Sequence, residues 1–321
     1  MSDRAESKGE NAVIHVLCLN PAIDKMYEID GFAAGGVYPG QRSRVSVGGK
    51  GVNVARVLSQ LGEAPRLYAM LGETGGDAVR REMEPRCACH FVTVAGACRT
   101  TVNIMDHVSG RETAISEAGP RAEREQTDAL LRELFASVAA GDIVCCSGSI
   151  IPGAPADIYA RVSRLCEEKG ARCALDCNAA SLGDSLCGAR YALGKPNEDE
   201  LTAYLGVPRT QDARKIASLA SRLLPEYGAL LVSLGAKGGV LVTPEGALAA
   251  DALPVEARTT VGCGDASFAG ALFALARGME GENLLRIAMA CGAANAAGEQ
   301  PGSVQTPLVE RLARQVQARR L

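Results

Sequence analysis

The run Thr259-Thr-Val-Gly262-Cys263-Gly264-Asp265 leads directly into an apolar helical stretch, Ala266–Arg277. Glycines just ahead of a helix let the backbone approach a ligand closely, and the first helical amides point outward without intrahelical partners. A phosphate, or the charge developing during phosphoryl transfer, would be stabilised there. Asp265 stands at the junction of loop and helix. Taken alone it reads as an N-cap accepting a backbone N–H; the sharper reading is a general base for a substrate hydroxyl.

A second segment, Val47-Gly48-Gly49-Lys50-Gly51-Val52-Asn53-Val54-Ala55-Arg56-Val57-Leu58, also runs from glycines into a helix. It lacks the spacing of a Walker A loop, and no dinucleotide fingerprint follows the first strand, which weighs against an NAD-binding domain. Glycines with a lysine and an asparagine suit a polyhydroxy ligand, through close backbone contact and side-chain hydrogen bonds.

These loops need a scaffold, and the chain is long enough for one. Its 321 residues are 47% hydrophobic and 22% charged, ordinary for a globular protein with a sizeable core. A net charge of −3 gives no general pull toward nucleic acid or an anionic membrane. No apolar run approaches the ~20 residues that span a bilayer. The polar start, Met1–Asn11, lacks a secretory signal's apolar segment and reads as a flexible N-terminal tail. Among the 12 cysteines no C-x-x-C pair occurs; the nearest clusters are Cys87-Ala-Cys89, Cys145-Cys146 and Cys173-x-x-x-Cys177. Zinc through cysteine is not supported, and a reduced cytoplasmic chain is the better reading.

Short β-branched runs alternate with helical patterns. Ala12–Cys18, Leu67–Met70, Ile143–Cys146, Arg172–Asp176, Leu230–Ser233 and Val240–Thr243 read as buried strands. Between them lie helical stripes: Val54, Val57, Leu58, Leu61; Leu130, Leu131, Leu134, Val138; Ile216, Leu219, Ala220, Leu223; and Phe268, Ala271, Leu272, Leu275. This predicts an α/β fold in three layers, a mainly parallel central sheet with helices on both faces. Two stretches break the alternation, Ile23–Val47 and Phe91–Ile115, and are expected to pair as a small inserted β-sheet, a lid over the site. Exposed strand edges tend to be paired or covered, so the lid could also join two copies as a homodimer. No linker divides the chain, so residues 12–310 are expected to form a single domain carrying that lid.

The order of five segments is distinctive: Leu19-Asn20-Pro21-Ala22-Ile23-Asp24, Gly48–Leu58, Lys195-Pro-Asn197-Glu-Asp-Glu200-Leu201, Ser233-Leu-Gly235-Ala-Lys-Gly238 and Gly262–Asp265. It resembles the PfkB, or ribokinase-like, family of carbohydrate kinases from about Val13 to about Gly302. The first two segments look most like the branch of 1-phosphofructokinases and tagatose-6-phosphate kinases. Arg99 before Thr100, Gly119-Pro120 and Ser147-Gly-Ser149-Ile-Ile-Pro-Gly153 agree with that branch.

The resemblance implies a ribokinase-like core and an ATP- and Mg²⁺-dependent kinase acting on a ketohexose phosphate of the fructose 1-phosphate or tagatose 6-phosphate type. It makes Asp265 the base and the amides of Gly262, Cys263 and Gly264 the anion hole. Asp24, Gly48, Gly49, Lys50, Asn53 and Ser149 fall at substrate positions, and Arg99 where the phosphate of a phosphosugar is met. Lys195, Asn197, Ser233, Gly235, Gly238 and Asn295 fall at nucleotide positions, with Asn197 and Glu200 organising Mg²⁺ and its waters. Each has a plain alternative: Asp24 could cap a turn, Asn53 a helix, Asn197 with Glu200 could be a capping box, and Arg99 a solvated strand residue. An unphosphorylated sugar or nucleoside is the nearest rival acceptor. A rival from another class is an inactive kinase-fold sensor, against which the retained Asp265, Asn197 and Glu200 argue.

Three departures stand out. Cys263 replaces the usual alanine, and a thiol at a helix N-terminus is expected to have a lowered pKa. Val37-Tyr38-Pro39-Gly40 stands where relatives read close to Val-Asn-Arg, and Ser116 where an asparagine is usual.

Overall fold

The first strand, β1 (Ile14–Cys18), is buried along its whole length, and its alternate residues enter two separate cores: Ile14, Val16 and Cys18 one, Leu17 the other. Such a strand must lie in a sheet covered on both faces. The structure, a computed structural model, describes residues 12–321; the expected tail, Met1–Asn11, lies outside the described residues.

After β1 come β2 (Ala22–Ile29), β3 (Ser43–Gly48), α1 (Lys50–Gln60), β4 (Arg66–Thr74), α2 (Gly76–Met83), β5 (Ala88–Ala97), β6 (Arg99–Asp106) and β7 (Arg111–Ser116). The chain continues through α3 (Arg124–Ser137), β8 (Ile143–Ser147), α4 (Ile158–Glu168), β9 (Arg172–Asp176), α5 (Ala179–Leu186), β10 (Leu193–Gly194), α6 (Glu198–Leu205) and α7 (Ala213–Ala220). It ends with β11 (Leu230–Ser233), β12 (Gly239–Thr243), β13 (Gly246–Ala250), α8 (Cys263–Ala276), α9 (Gly281–Ala296), α10 (Thr306–Ala313) and β14 (Ala318–Arg320).

Ten strands form one sheet in the order β14-β13-β12-β11-β10-β9-β8-β1-β4-β5. Pairing is parallel from β5 across to β11 and antiparallel from β11 to β14. Helices α1, α2, α8, α9 and α10 cover one face, and α3 to α7 the other. From β1 the sheet grows first toward β4 and β5, then in the opposite direction from β8 to β11. The crevice outside the carboxyl ends of β1 and β8 is thus a topological switch point, where open α/β sheets bind ligands. Among the described residues no helix is long and apolar enough to cross a membrane.

A second sheet has the order β3-β2-β6-β7. Its register aligns Ser46, Asp24, Thr101 and Ser116 in one row and Val45, Lys25, Val102 and Ile115 in the next. Successive residues of a strand point to opposite faces, so these rows belong to different sides. Val45 and Ile115 are exposed at 65% and 61%. Glu112, on the face of Asp24, contacts the Thr260 hydroxyl of the loop before α8, which puts that face over the cleft.

The expected lid differs from this sheet in one respect. Phe91–Val94 belongs to β5, the edge of the large sheet, paired in parallel with Ala69–Gly72. Val94 is fully buried there, and the guanidinium of Arg80 lies 4.9 Å above the Phe91 ring. The chain leaves the large sheet only after Ala97, so the small sheet draws on Ala22–Gly48 and Arg99–Ser116. A half-buried edge strand and a lid strand carry the same alternation, so the pattern alone does not separate them.

Candidate active site

Gly262 turns the chain into α8 at φ 78°, and a Cβ there would stand 2.8 Å from the Gly302 nitrogen. Gly262 is itself the N-cap, and Asp265 lies inside the first turn without capping the helix. Its Oδ2 instead accepts a hydrogen bond from Asn53 Nδ2 at 2.8 Å. Burial, then the charge of Asp176, raises the Asp265 pKa to about 6, while Lys50, the Asn53 bond and Lys195 pull it down. The amides of Cys263 and Gly264 open the helix beside this carboxyl, as an anion-binding terminus requires.

Asp176 ends β9 fully buried and anchors the cations. Its Oδ1 accepts from Lys50 Nζ at 2.7 Å, and its Oδ2 lies 3.5 Å from Lys195 Nζ. Glu200 Oε1 is 3.6 Å from Lys50 Nζ. Burial opposes protonation of Lys50, but Asp176, Glu200 and Asp265 outweigh it and its pKa is raised. A Cβ on Gly264 would come within 3.0 Å of Lys195 Nζ, so the lysine stands over the start of α8. Asn197 and Glu200 form a reciprocal capping box: Glu200 N donates to Asn197 Oδ1 at 2.7 Å, and Asn197 N to Glu200 Oε2 at 3.0 Å.

A cavity of about 710 Å³ runs outward from Asp265. Its lining includes Lys50, Lys195, Asn197, Ser233, Gly235, Gly238, Cys263 and Gly264, with Pro254, Val255, Met289 and Ala293 as an apolar wall. That volume and mix suit a nucleotide-sized ligand. Asn295, expected beside it, does not line it. Asn295 is fully buried, accepting from Gly302 N at 2.7 Å and donating to the Val261 carbonyl at 2.9 Å, so it braces the loop before α8.

The sugar candidates gather around the turn into α1, the helix whose Asn53 bonds to Asp265. A Cβ on Gly48 would fall 1.7 Å from Asp24 Oδ2, so only glycine lets β3 pass that carboxylate. Burial raises the Asp24 pKa, opposed by Arg99, a Thr101 hydrogen bond and Arg56. Gly49 caps α1 at φ 97°. Arg99 Nε donates to the Asn20 carbonyl at 3.0 Å, and Asn20 Nδ2 reaches Ser149 Oγ at 3.3 Å.

The thiol at 263 behaves differently from the expectation of a lowered pKa. Burial raises it, outweighing a hydrogen bond from Asn295, and Asp265 and Glu112 add to the rise. The favourable helix terminus is countered by desolvation and two nearby carboxylates. All twelve cysteines are free thiols.

Sequence reasoning passed over Asp176 and Asn20 as site residues. Asn20 Oδ1, Ser147 Oγ and Asp176 Oδ2 are buried without hydrogen-bond partners, at or just beyond the carboxyl ends of β1, β8 and β9. A carboxylate closing an otherwise apolar strand, as in Arg172–Asp176, was the available signal.

This fold and cleft define a class in which a nucleotide-sized cavity opens beside one buried carboxylate at the head of a helix. The pfkB family carbohydrate kinase profile matches residues 17–307, and the chain belongs to that family. It is 36% identical over 285 residues to 1-phosphofructokinase of Rhodobacter capsulatus, covering 86% of this chain and 88% of the relative. It is 29% identical over 308 residues to tagatose-6-phosphate kinase of Staphylococcus epidermidis, covering 95% and 99%. Its fold matches the tetrameric inhibited form of phosphofructokinase-2 from Escherichia coli with a TM-score of 0.85 at 22% identity, covering 95% and 99%.

Proposed function

We propose that the chain transfers the γ-phosphoryl group of ATP to a hydroxyl of a ketohexose phosphate, of the fructose 1-phosphate or tagatose 6-phosphate type. The observation that carries this reading is Asp265, oriented by Asn53 at the head of α8 and lining the nucleotide-sized cavity. The two relatives named above act, by their names, on phosphorylated ketohexoses or close kin.

In this reading Asp265 takes the proton of the acceptor hydroxyl as its oxygen attacks the γ-phosphorus, and ADP leaves. A pKa of about 6 keeps the carboxylate ionised at neutral pH while leaving it a competent proton acceptor. The amides opening α8, with Lys50 and Lys195, receive the charge gathering on the transferred group. Asp24, the Gly48–Gly49 turn and Ser149 hold the sugar, and Arg99 meets its phosphate with a planar fork.

Mg²⁺ fits the donor set. Asp176 Oδ2 is a buried carboxylate oxygen that makes no hydrogen bond and only a 3.5 Å ion pair with Lys195, and Glu200 Oε1, 3.6 Å from Lys50, is the carboxylate oxygen that the capping box leaves over. Hard oxygens of this kind, with waters and substrate phosphates, are what Mg²⁺ takes. Bound there, it would neutralise charge on the ATP phosphates. Asn197 Oδ1 already accepts from the helix, so its part is to hold that helix in place.

A second reading, an unphosphorylated acceptor, is favoured by one observation. Tyr38, in the segment where relatives carry an arginine, turns its hydroxyl onto its own loop, accepting from Ala33 N at 2.7 Å. An ADP-release assay with Mg²⁺-ATP decides between them. Turnover confined to fructose 1-phosphate, tagatose 6-phosphate or fructose 6-phosphate supports the first reading; turnover on free fructose, ribose or a nucleoside supports the second. Free thiols buried in the core, such as Cys145 and Cys146, accord with a reducing cytoplasmic setting.

A further inference from the structure

Arg56, on α1, is only 5% exposed, yet each of its side-chain nitrogens is bonded. Nε donates to Glu82 Oε1 at 2.7 Å, and Nη2 to the Val47 carbonyl at 2.7 Å. Nη1 donates to Asn53 Oδ1 at 2.7 Å and to the Pro301 carbonyl at 3.0 Å. The loop makes room for this: a Cβ on Gly302 would stand 2.8 Å from Nη1.

A guanidinium can only donate hydrogen bonds. It therefore decides which way the neighbouring amide faces. Asn53 must turn Oδ1 to Arg56, which leaves Nδ2 for Asp265. Turned over, the amide would set its oxygen against the carboxylate and repel it. Nor is Asn53 free to swing away, since it is 3% exposed. Glu82 supplies the charge that a buried guanidinium needs, and the two carbonyls tie the same group to the Gly48–Gly49 turn and to the loop packed on Gly262.

We infer that Arg56, held by Glu82, is a positioning residue: it fixes the Asn53 amide so that Nδ2 orients Asp265 toward the acceptor hydroxyl. The inference rests on the reading of Asp265 as the general base. Arg56 touches no substrate in this scheme and acts only through Asn53. A purely structural role, gluing α1 to two loops, would lower stability without moving the titration of Asp265.

Arg56→Lys keeps the charge and loses the fork. With Mg²⁺-ATP and fructose 1-phosphate, or whichever acceptor of the panel turns over, kcat should fall on the order of 10- to 100-fold. The acid limb of the kcat profile should move up by about half a unit to one unit, because the donor favouring the carboxylate form is displaced. In an Asn53→Ala background, Arg56→Lys should move that limb no further. An unmoved limb, or an equal shift without Asn53, overturns the inference. Should Arg56→Lys fail to fold, Glu82→Gln is the second variant, on a partly exposed side chain; it should shift the limb the same way by less, and no shift overturns the inference. Asp265→Asn separates the two ideas. A normal rate in that variant removes the base, and the positioning role with it. A slow variant without an acid limb keeps the base and leaves Arg56 to its own result.

Discussion

The Lys50 ammonium lies 2.7 Å from Oδ1 of Asp176, a carboxylate 1% exposed at the end of β9. The other oxygen faces Lys195 at 3.5 Å, so one buried anion holds two cations that both line the nucleotide cavity. Removing one partner of a buried pair leaves the rest uncompensated.

Asp176→Asn should therefore destabilise the fold by about 3–5 kcal/mol, read by urea unfolding. It should also lower the pKa of Asp265, because the charge of Asp176 is among the causes that raise it. The acid limb of kcat/KM then moves to lower pH. A limb that stays in place would separate the two carboxylates and leave burial alone to explain the raised value.

The unsubstituted enzyme should lose kcat/KM as pH falls through about 6, where Asp265 takes up a proton. Asp265→Asn should reduce kcat by about 10²- to 10⁴-fold, the usual worth of a positioned base. ATP affinity, measured by calorimetry, should change little, since the amide keeps the shape of the side chain that Asp265 gives to the cavity lining. A near-normal kcat removes Asp265 as the base.

Much of this site is legible in the sequence because glycine and carboxylate carry their reasons with them. Gly262 and Gly49 adopt φ of 78° and 97°, conformations that only glycine takes without strain, each at the head of a helix. The core strands are legible because both their faces are apolar. Asp176 is legible only in part: a carboxylate closing Arg172–Asp176 marks a strand end, but which strand end faces the cleft depends on strand order. Phe91–Val94 misleads for a related reason, as period-two alternation states that a strand is half-buried but not in which sheet. Asn295 illustrates the limit from the other side. An asparagine near a ligand and one bracing the ligand's loop occupy the same place in the sequence, and only the bonds to Gly302 and Val261 separate them.

Arg99 offers a fork at the start of β6, an inner strand of the small sheet, beside Ala22 in the register and anchored by Nε on the Asn20 carbonyl. The remaining donors suit a phosphate. Arg99→Ala should raise KM for a phosphosugar by about 10- to 100-fold, as expected for loss of a charge-assisted contact. KM for the unphosphorylated sugar should scarcely change. Equal effects on the two would withdraw the phosphate assignment.

Cys263 sits where the anion-binding amides begin, but its thiol is held back by burial. Only the backbone is asked to bind, so Cys263→Ala should keep kcat within about threefold. Inactivation by iodoacetamide at neutral pH should be slow and equally slow in both proteins, because the thiolate is the reactive form. A fast inactivation abolished by Cys263→Ala would show a thiolate that the surroundings do not predict.

The outward face of the small sheet presents Val45 and Ile115 at 65% and 61% exposure, in one row with Lys25 and Val102. We propose that this face joins two copies as a homodimer, because exposed Val45 and Ile115 at the two edges of a thin sheet are otherwise an aggregation hazard. Val45→Asp with Ile115→Asp should shift the protein to half its mass in light scattering. The site-facing row of Asp24 and Thr101 points away from the substitutions, so monomers should still bind ATP while showing a raised KM for the sugar if the small sheet needs its partner for rigidity. An unchanged mass in the double variant, or a monomer before substitution, would place no partner on this face.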